Sequence, residues 1–458
     1  MGLKSTITIF FCGLSIFSVA QKNSSIDNRV NQLLARMTLE EKIGQLNQYS
    51  GDRLATGPLN PNSNKYNEIK QGKVGSMLNV QGAKETRMIQ EMAMQSRLKI
   101  PLLFGRDVIH GYRVTFPVPL AEAASWDLEA IEKSARISAT ETAAAGIHWT
   151  FAPMVDIARD PRWGRVVEGA GEDPYLGSLI AKARIKGFQG NKLGDLDAVM
   201  ACVKHFAAYG AAIAGRDYNS VDMSDRMLRE VYLPPFKAAA DAGAATFMNS
   251  FNDLNGIPAT GNKYLQRDIL KGEWKYPGFV VSDWSSIAEM IDHGYAKDKP
   301  QAAEQAITAG SDMDMQSSVY IEHLAGLVKQ GKVSESLIDD AVKRILYKKF
   351  EMGLFDDPFR FSNEEREARV LNTKEHHKAA LDIAGKSIVM LKNQNQVLPL
   401  DRNIKTIAVI GPLAKSEIDM KGAWSVYWPD DDLVTLYEGL QARAGSKTQL
   451  LYARGCDV

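Results

Sequence analysis

Cysteine is scarce in this chain: Cys12, Cys202 and Cys456 are the only three among 458 residues. So few thiols, so far apart, exclude a disulfide framework, and without a paired C-x-x-C there is no thiolate metal site. Neither sign of charge is in surplus. Lys plus Arg number 55 and Asp plus Glu number 55, for a formal net charge of +0. That balance gives no basis for nucleic acid as a partner. The motifs H-E-x-x-H, EF-hand loop and G-x-S-x-G are missing, which removes support for a zinc or calcium site and for a serine elbow. Val409-Ile410-Gly411 lacks the further glycines of a dinucleotide loop. No cofactor and no metal are expected. Beyond the amino terminus, no run is apolar and long enough to cross a bilayer, so no stable membrane insertion is expected.

What the chain does have is an ordinary globular balance, with 45% hydrophobic and 24% charged residues. Its amino terminus stands apart. Lys4 precedes an apolar run from Ile7 to Val19, and Ser18 and Ala20 fit a small-residue cleavage site before Gln21. Residues 1–20 are therefore expected to be a secretory signal peptide, and the protein to be secreted or periplasmic. Cys202, inside an apolar run, is expected to be a small buried core residue.

A helix is expected from Thr38, where Thr38-Leu39-Glu40-Glu41 forms a capping box ahead of Ile43 and Leu46. Short apolar runs then alternate with longer amphipathic ones. The short runs are Val74–Leu78, Pro101–Phe104, Trp149–Ala152, Ala198–Val203, Ala245–Met248 and Phe279–Val281. Strand followed by helix, repeated, implies a parallel sheet. An open doubly wound sheet and a closed (β/α)8 barrel share that rhythm, but the length from 26 to 355 suits a TIM-like barrel with elaborated loops. A charged stretch, 356–375, reads as a linker. Residues 376–458 read as the beginning of an α/β sandwich domain, with Thr406–Ile410 as a strand, and the chain is expected to be a fragment of something longer.

Polar residues follow the strands. Phe104 leads to Asp107, Phe151 to Asp156 and on to Arg165, Val203 to Lys204 and His205, Met248 to Phe251, and Val281 to Asp283 and Trp284. In a parallel barrel these ends converge on one rim, where barrel active sites are built. Each has a plainer alternative. Asp283 is in position to cap the next helix. Lys204 and His205, adjacent on a strand, would point to opposite faces. Arg165 has Glu168 and Glu172 within reach as loop partners, and the two tryptophans could simply pack. Asp312 and Asp314 read as the hydrogen-bonded end of a barrel strand. Taken together, carboxylates, cations and aromatic faces around one hollow suit a hydroxyl-rich ligand, and two carboxyl groups suit glycoside hydrolysis.

The segments GRDVIHGYRVTFP, DIARDPRWGRVVEGAGEDP, VKHFAAYGAAIAGRDYNSVDMS, FMNSFNDLNGIPATGN and GFVVSDW, in that order, resemble the family 3 glycoside hydrolases of the periplasmic β-glucosidase type. SIVMLKNQNQVLPL and TIAVIGPLA resemble the start of that family's second domain. The resemblance implies a (β/α)8-type first domain and a retaining mechanism with Asp283 as nucleophile. It implies that Asp107, Arg165, Lys204 and His205 hold hydroxyls of the sugar in the −1 subsite and that Trp284 stands at the mouth. Phe251 falls where some members place a tyrosine. Because KHF is followed here by AAYGAAIAG rather than P-G-H-G, the single-domain hexosaminidase branch is disfavoured. In the two-domain group the general acid/base is a Glu of the second domain, expected here beyond residue 458.

The expected activity is thus exo-acting β-glucosidase on a β-glucoside or oligosaccharide. The alternatives are β-xylosidase of the same family, a sugar-binding protein with little turnover, and a barrel enzyme using Lys204 as a Schiff base. Lys204, His205 and Arg165 are expected to hold Asp283 in its ionised form.

Overall fold

The computed structural model describes residues 25–51, 64–426, 428 and 433–458. The amino-terminal run read as a signal peptide lies outside the described residues. Among the described residues twelve strands are formed: β1 Asn47–Ser50, β2 Ser76–Leu78, β3 Leu103–Arg106, β4 Trp149–Thr150, β5 Met200–Phe206, β6 Thr246–Asn249, β7 Asp253–Leu254, β8 Ile257–Pro258, β9 Phe279–Val281, β10 Asp314–Met315, β11 Thr406–Ile410 and β12 Gln449–Ala453. Eight of them make one parallel sheet in the order β10-β1-β2-β3-β4-β5-β6-β9. A parallel bridge between Val281 and Met313 joins the two ends, with Ser282 N donating to Met313 O at 2.8 Å and Met313 N to Val280 O at 3.0 Å. The sheet closes, and the open-sheet alternative is discarded in favour of the expected TIM-like (β/α)8 barrel.

Helices follow the strands, among them Ala83–Ala93, Leu128–Ala144, Pro174–Gln189, Pro234–Asp241, Lys299–Ala309 and Glu335–Glu351. Their starts obey local chemistry. Thr38 caps Leu39–Gln45 through the expected reciprocal bonds with Glu41, and Asp127, Asp173 and Asp298 cap theirs through their carboxylates. Two helical segments contain π-helical turns, at Leu228–Tyr232 and Tyr264–Glu273.

The barrel interior is filled by large rings. Trp149 meets Phe151 and Phe279 edge-on, at centroid distances of 4.8 and 5.1 Å, and its indole N–H donates to Thr246 Oγ1 at 2.8 Å. Gly105 makes this possible, since a Cβ there would stand 2.7 Å from the Phe151 ring. Cys202 is fully buried. Asp312 pairs with the buried Lys271 and accepts from Val280 N at 2.8 Å, while Asp314 accepts from Ser317 and Tyr320. Both carboxylates are thus the hydrogen-bonded strand end that the sequence suggested.

After the barrel come the helices Glu364–Val370 and Lys374–Lys386, then the two-stranded parallel sheet of β11 and β12. Glu141, buried in the barrel helix Leu128–Ala144, receives Asn372 N at 3.0 Å and the His376 imidazole at 2.8 Å. Among the described residues, no helix is long and apolar enough to cross a membrane.

Candidate active site

A cavity of about 470 Å³ opens at the carboxyl-terminal rim of the barrel, lined among others by Asp107, Arg165, Lys204, Phe251, Asp283 and Trp284. Strands deliver the charged set. Asp283 follows β9, and its position is fixed twice over: its Oδ1 accepts from Trp284 N at 2.7 Å, and Ser282 beside it ties β9 to β10 by accepting from Met315 N at 2.8 Å. Its Oδ2 has no hydrogen-bond partner. One carboxylate oxygen is therefore held while the other remains available.

Lys204, in β5, donates through Nζ to Asp107 Oδ1 at 3.1 Å. His205, its neighbour, lies with Nε2 3.5 Å from Asp283 Oδ2. Both reach one site, against simple strand alternation, because the β5–β6 register shifts between Val203 and Phe206. Behind His205 sits Asp156, whose Oδ2 accepts from His205 N and pairs with its Nδ1, both at 2.8 Å. Both side chains are fully out of contact with water.

Arg165 does make the loop pair with Glu168, Nε to Oε1 at 2.7 Å and Nη2 to Oε2 at 3.0 Å. That pair does not withdraw it from the cavity, which it still lines. Phe251 stacks on Tyr218 at a centroid distance of 4.3 Å and 30°, and Trp284 packs against the cluster containing Phe251 and Tyr209. All seven residues singled out from the sequence are thus brought to one hollow, His205 from just behind its wall.

The electrostatics differ from expectation in one respect. Burial is the largest influence on Asp283 and pushes its carboxyl up, opposed by Arg165 and Lys204, to about 6. His205 does not help to ionise it: burial, then Arg165 and Lys204, hold the imidazole well below its usual range, so it is neutral. Burial likewise raises Asp156 to about 7.

Sequence reasoning missed several lining residues. Asp217 and Tyr218 come from the loop after β5, Glu289 from the short helix Ser286–Glu289, and Trp424 from the segment between β11 and β12. Trp424 donates its indole N–H to Glu168 Oε1 at 2.8 Å, and its ring lies 5.6 Å from Lys204 Nζ and 5.7 Å from Arg165 Cζ. Glu289 is raised to about 7, by burial first and then by Asp283 and Asp292. The period-2 and 3.6 patterns place strands and helices but not a tryptophan carried by a distant loop. Among the described residues, no group of three or more His, Cys, Asp or Glu is arranged to hold a metal ion.

This arrangement of carboxylates, cations and aromatic faces on a barrel rim suits a hydroxyl-rich ligand. Comparison with known proteins agrees. Residues 38–347 match the glycosyl hydrolase family 3 N terminal domain and residues 388–457 the family's C-terminal domain. The chain belongs to glycosyl hydrolase family 3. It is 44% identical over 436 residues to the periplasmic beta-glucosidase of Salmonella typhimurium, an alignment covering 94% of this chain and 56% of that protein. It is 35% identical to a beta-xylosidase of Formosa agariphila, over 100% of this chain and 61% of that one. The crystal structure of the beta-glucosidase from Listeria innocua in complex with isofagomine superposes with a TM-score of 0.88 at 42% identity, covering 94% of this chain and 60% of that one. The chain therefore spans a little over half the length of these relatives.

Proposed function

We propose that this chain carries the sugar-binding and nucleophilic half of a retaining, exo-acting β-glucosidase. The observation that carries the reading is Asp283, with one oxygen fixed by a backbone N–H, the other unpartnered, in a cavity lined by Arg165, Lys204 and Asp107. The geometry supports the following sequence. The glycone enters the pocket and its hydroxyls replace water against Lys204, Asp107 and Arg165, each contact a charge-assisted hydrogen bond. Tyr218, Phe251 and the two rim tryptophans cover its C–H faces. Asp283 Oδ2 attacks the anomeric carbon and the bond to the leaving oxygen breaks, that oxygen taking a proton from a second carboxyl group. Water, giving its proton to that second carboxyl group, then attacks the anomeric carbon from the face the leaving oxygen vacated, and the bond to Asp283 Oδ2 breaks, so two inversions retain the configuration.

Lys204 serves hydroxyl binding rather than Schiff-base chemistry on this reading, because it is engaged as an ammonium donor to Asp107. The similarity to a beta-xylosidase along the whole chain supports one second reading, a pentose in place of the hexose, and the ratio of kcat/KM on aryl β-glucoside and β-xyloside decides between them. The mechanism itself is tested by following hydrolysis of an aryl β-glucoside by proton NMR. β-Glucose as the first-formed product is expected, and α-glucose first would overturn the assignment of Asp283 as nucleophile.

A further inference from the structure

We propose that Glu168 is a positioning residue that couples the distant segment around Trp424 to the sugar-binding cations, so that neither is in place without the other. The proposal rests on the reading of the cavity as a glycone site.

Glu168 ends the 3-10 turn Val166–Glu168 and its side chain is only 2% exposed. Its carboxylate receives three donors. Two come from Arg165, and the third is the indole of Trp424, 256 residues away, on the same Oε1 that takes Arg165 Nε. A guanidinium has five N–H groups in a fixed plane. Spending the Nε edge on Glu168 aims the remaining donors, and the cavity is what Arg165 lines. The same carboxylate therefore sets the direction of a sugar-binding cation and the seat of Trp424.

The segment carrying Trp424 is fastened to the barrel at further points. Ala423 O lies 2.7 Å from the His110 imidazole, and Trp428 donates its indole N–H to Tyr112 O at 2.8 Å. Val426 is buried against Val108 and Tyr112. Gly422, at φ +73, lies so close to Val118 that a Cβ would come within 2.9 Å of it. These contacts hold the segment against the barrel, and the bond from Trp424 to Glu168, with the approach of its ring to Arg165 and Lys204, joins it to the cavity. If Arg165 turns away from Glu168, the indole bond loses its oriented acceptor. If the segment lifts, Glu168 opens to water and its grip on Arg165 weakens, since a charge-assisted bond is strong only while dry. By linkage, a ligand that fixes Arg165 also fixes Trp424, and the reverse holds equally.

The test is calorimetric binding of isofagomine, a sugar-shaped cation, to the protein and to Glu168→Gln, Trp424→Phe and the double variant, with Tm recorded for each. Glu168→Gln replaces one acceptor of Arg165 with a clashing N–H and should weaken binding about 10- to 100-fold, the range for a charge-assisted contact. Trp424→Phe keeps a ring but removes the donor and should weaken it about 3- to 10-fold. In the double variant the loss should be smaller than the product of the two. Wild-type affinity in Glu168→Gln with a lowered Tm, or losses that simply multiply, would overturn the proposal. If Glu168→Gln does not fold, Trp424→Phe alone decides, wild-type affinity being the contrary result. A wild type that binds no isofagomine would instead sink the glycone reading. The coupling is then read from acrylamide quenching of the fluorescence that Trp424→Phe removes: greater quenching in Glu168→Gln supports it and equal quenching overturns it.

Discussion

The cavity has two kinds of wall, made differently. Its floor is set by strand ends. Asp283 and Lys204 leave a closed parallel sheet whose ladder fixes them within the barrel. Its upper wall is set by loops. Tyr218 sits in a turn at φ +64 and is 45% exposed, and Trp424, at φ +61, is held by its side-chain bond to Glu168. The difference teaches where each task is placed. Attack at one carbon needs a carboxylate fixed to a fraction of an ångström, which a buried ladder provides. Covering a sugar face tolerates more freedom, and loops can supply it.

If that division is right, substitutions should separate by wall. The largest effect is expected on the floor: Asp283→Ala should lower kcat by about 10⁴-fold or more while leaving the fold intact, and steady-state kinetics beside a circular dichroism spectrum check it. Lys204→Ala or Asp107→Ala should lower kcat/KM by about 10²-fold, the loss of a charge-assisted contact to the sugar. On the loop wall, Trp424→Ala should cost about tenfold in kcat/KM, the scale of an aromatic contact. A loss from Trp424→Ala as large as that from Lys204→Ala would break the comparison.

Two smaller effects sharpen it by pH. As the proposed nucleophile Asp283 must be ionised to attack, so kcat/KM should fall about tenfold per unit below pH about 6, the position to which burial raises it. The same shift acts on stability. With its folded value above the ordinary carboxyl value of 3.8, Asp283 leaves the native state holding the extra proton between those values. Its contribution is complete below the unfolded value and is lost as pH rises through about 6. Asp283→Asn should therefore raise Tm at pH 8 and do so less at pH 4, by a few degrees, as seen by differential scanning calorimetry. An equal change at both pH values would contradict the burial argument.

Much of the floor was legible in the sequence. Phe279–Val281 is a strand with the bounds read from its apolar run, and each apolar run expected as a strand overlaps one. Two barrel strands were harder. β1 reads Asn47-Gln48-Tyr49-Ser50, polar in composition yet buried throughout, with several of its polar groups answered inside. Gln48 donates to Ser76, and Ser50 is met by Lys65 and Asn79. β10 has only two residues, too few for any periodicity. The ionisation of Asp283 was half legible: the cations could be read, but burial, which dominates, belongs to the folded state. His205 was read as a charge and is a neutral ring between two carboxylates. Trp424 could not be read at all, since its partner Glu168 lies 256 residues earlier.

The central claim is that Asp283 becomes covalently attached to sugar. It is tested most directly by incubating the protein with a dinitrophenyl 2-deoxy-2-fluoro-β-glucoside, whose leaving group needs no proton, and locating the product by intact and peptide mass spectrometry. A single fluoroglucosyl adduct on the peptide containing Asp283 is the predicted result. An adduct on another residue, or release of dinitrophenol with no adduct on the folded protein, would contradict the account.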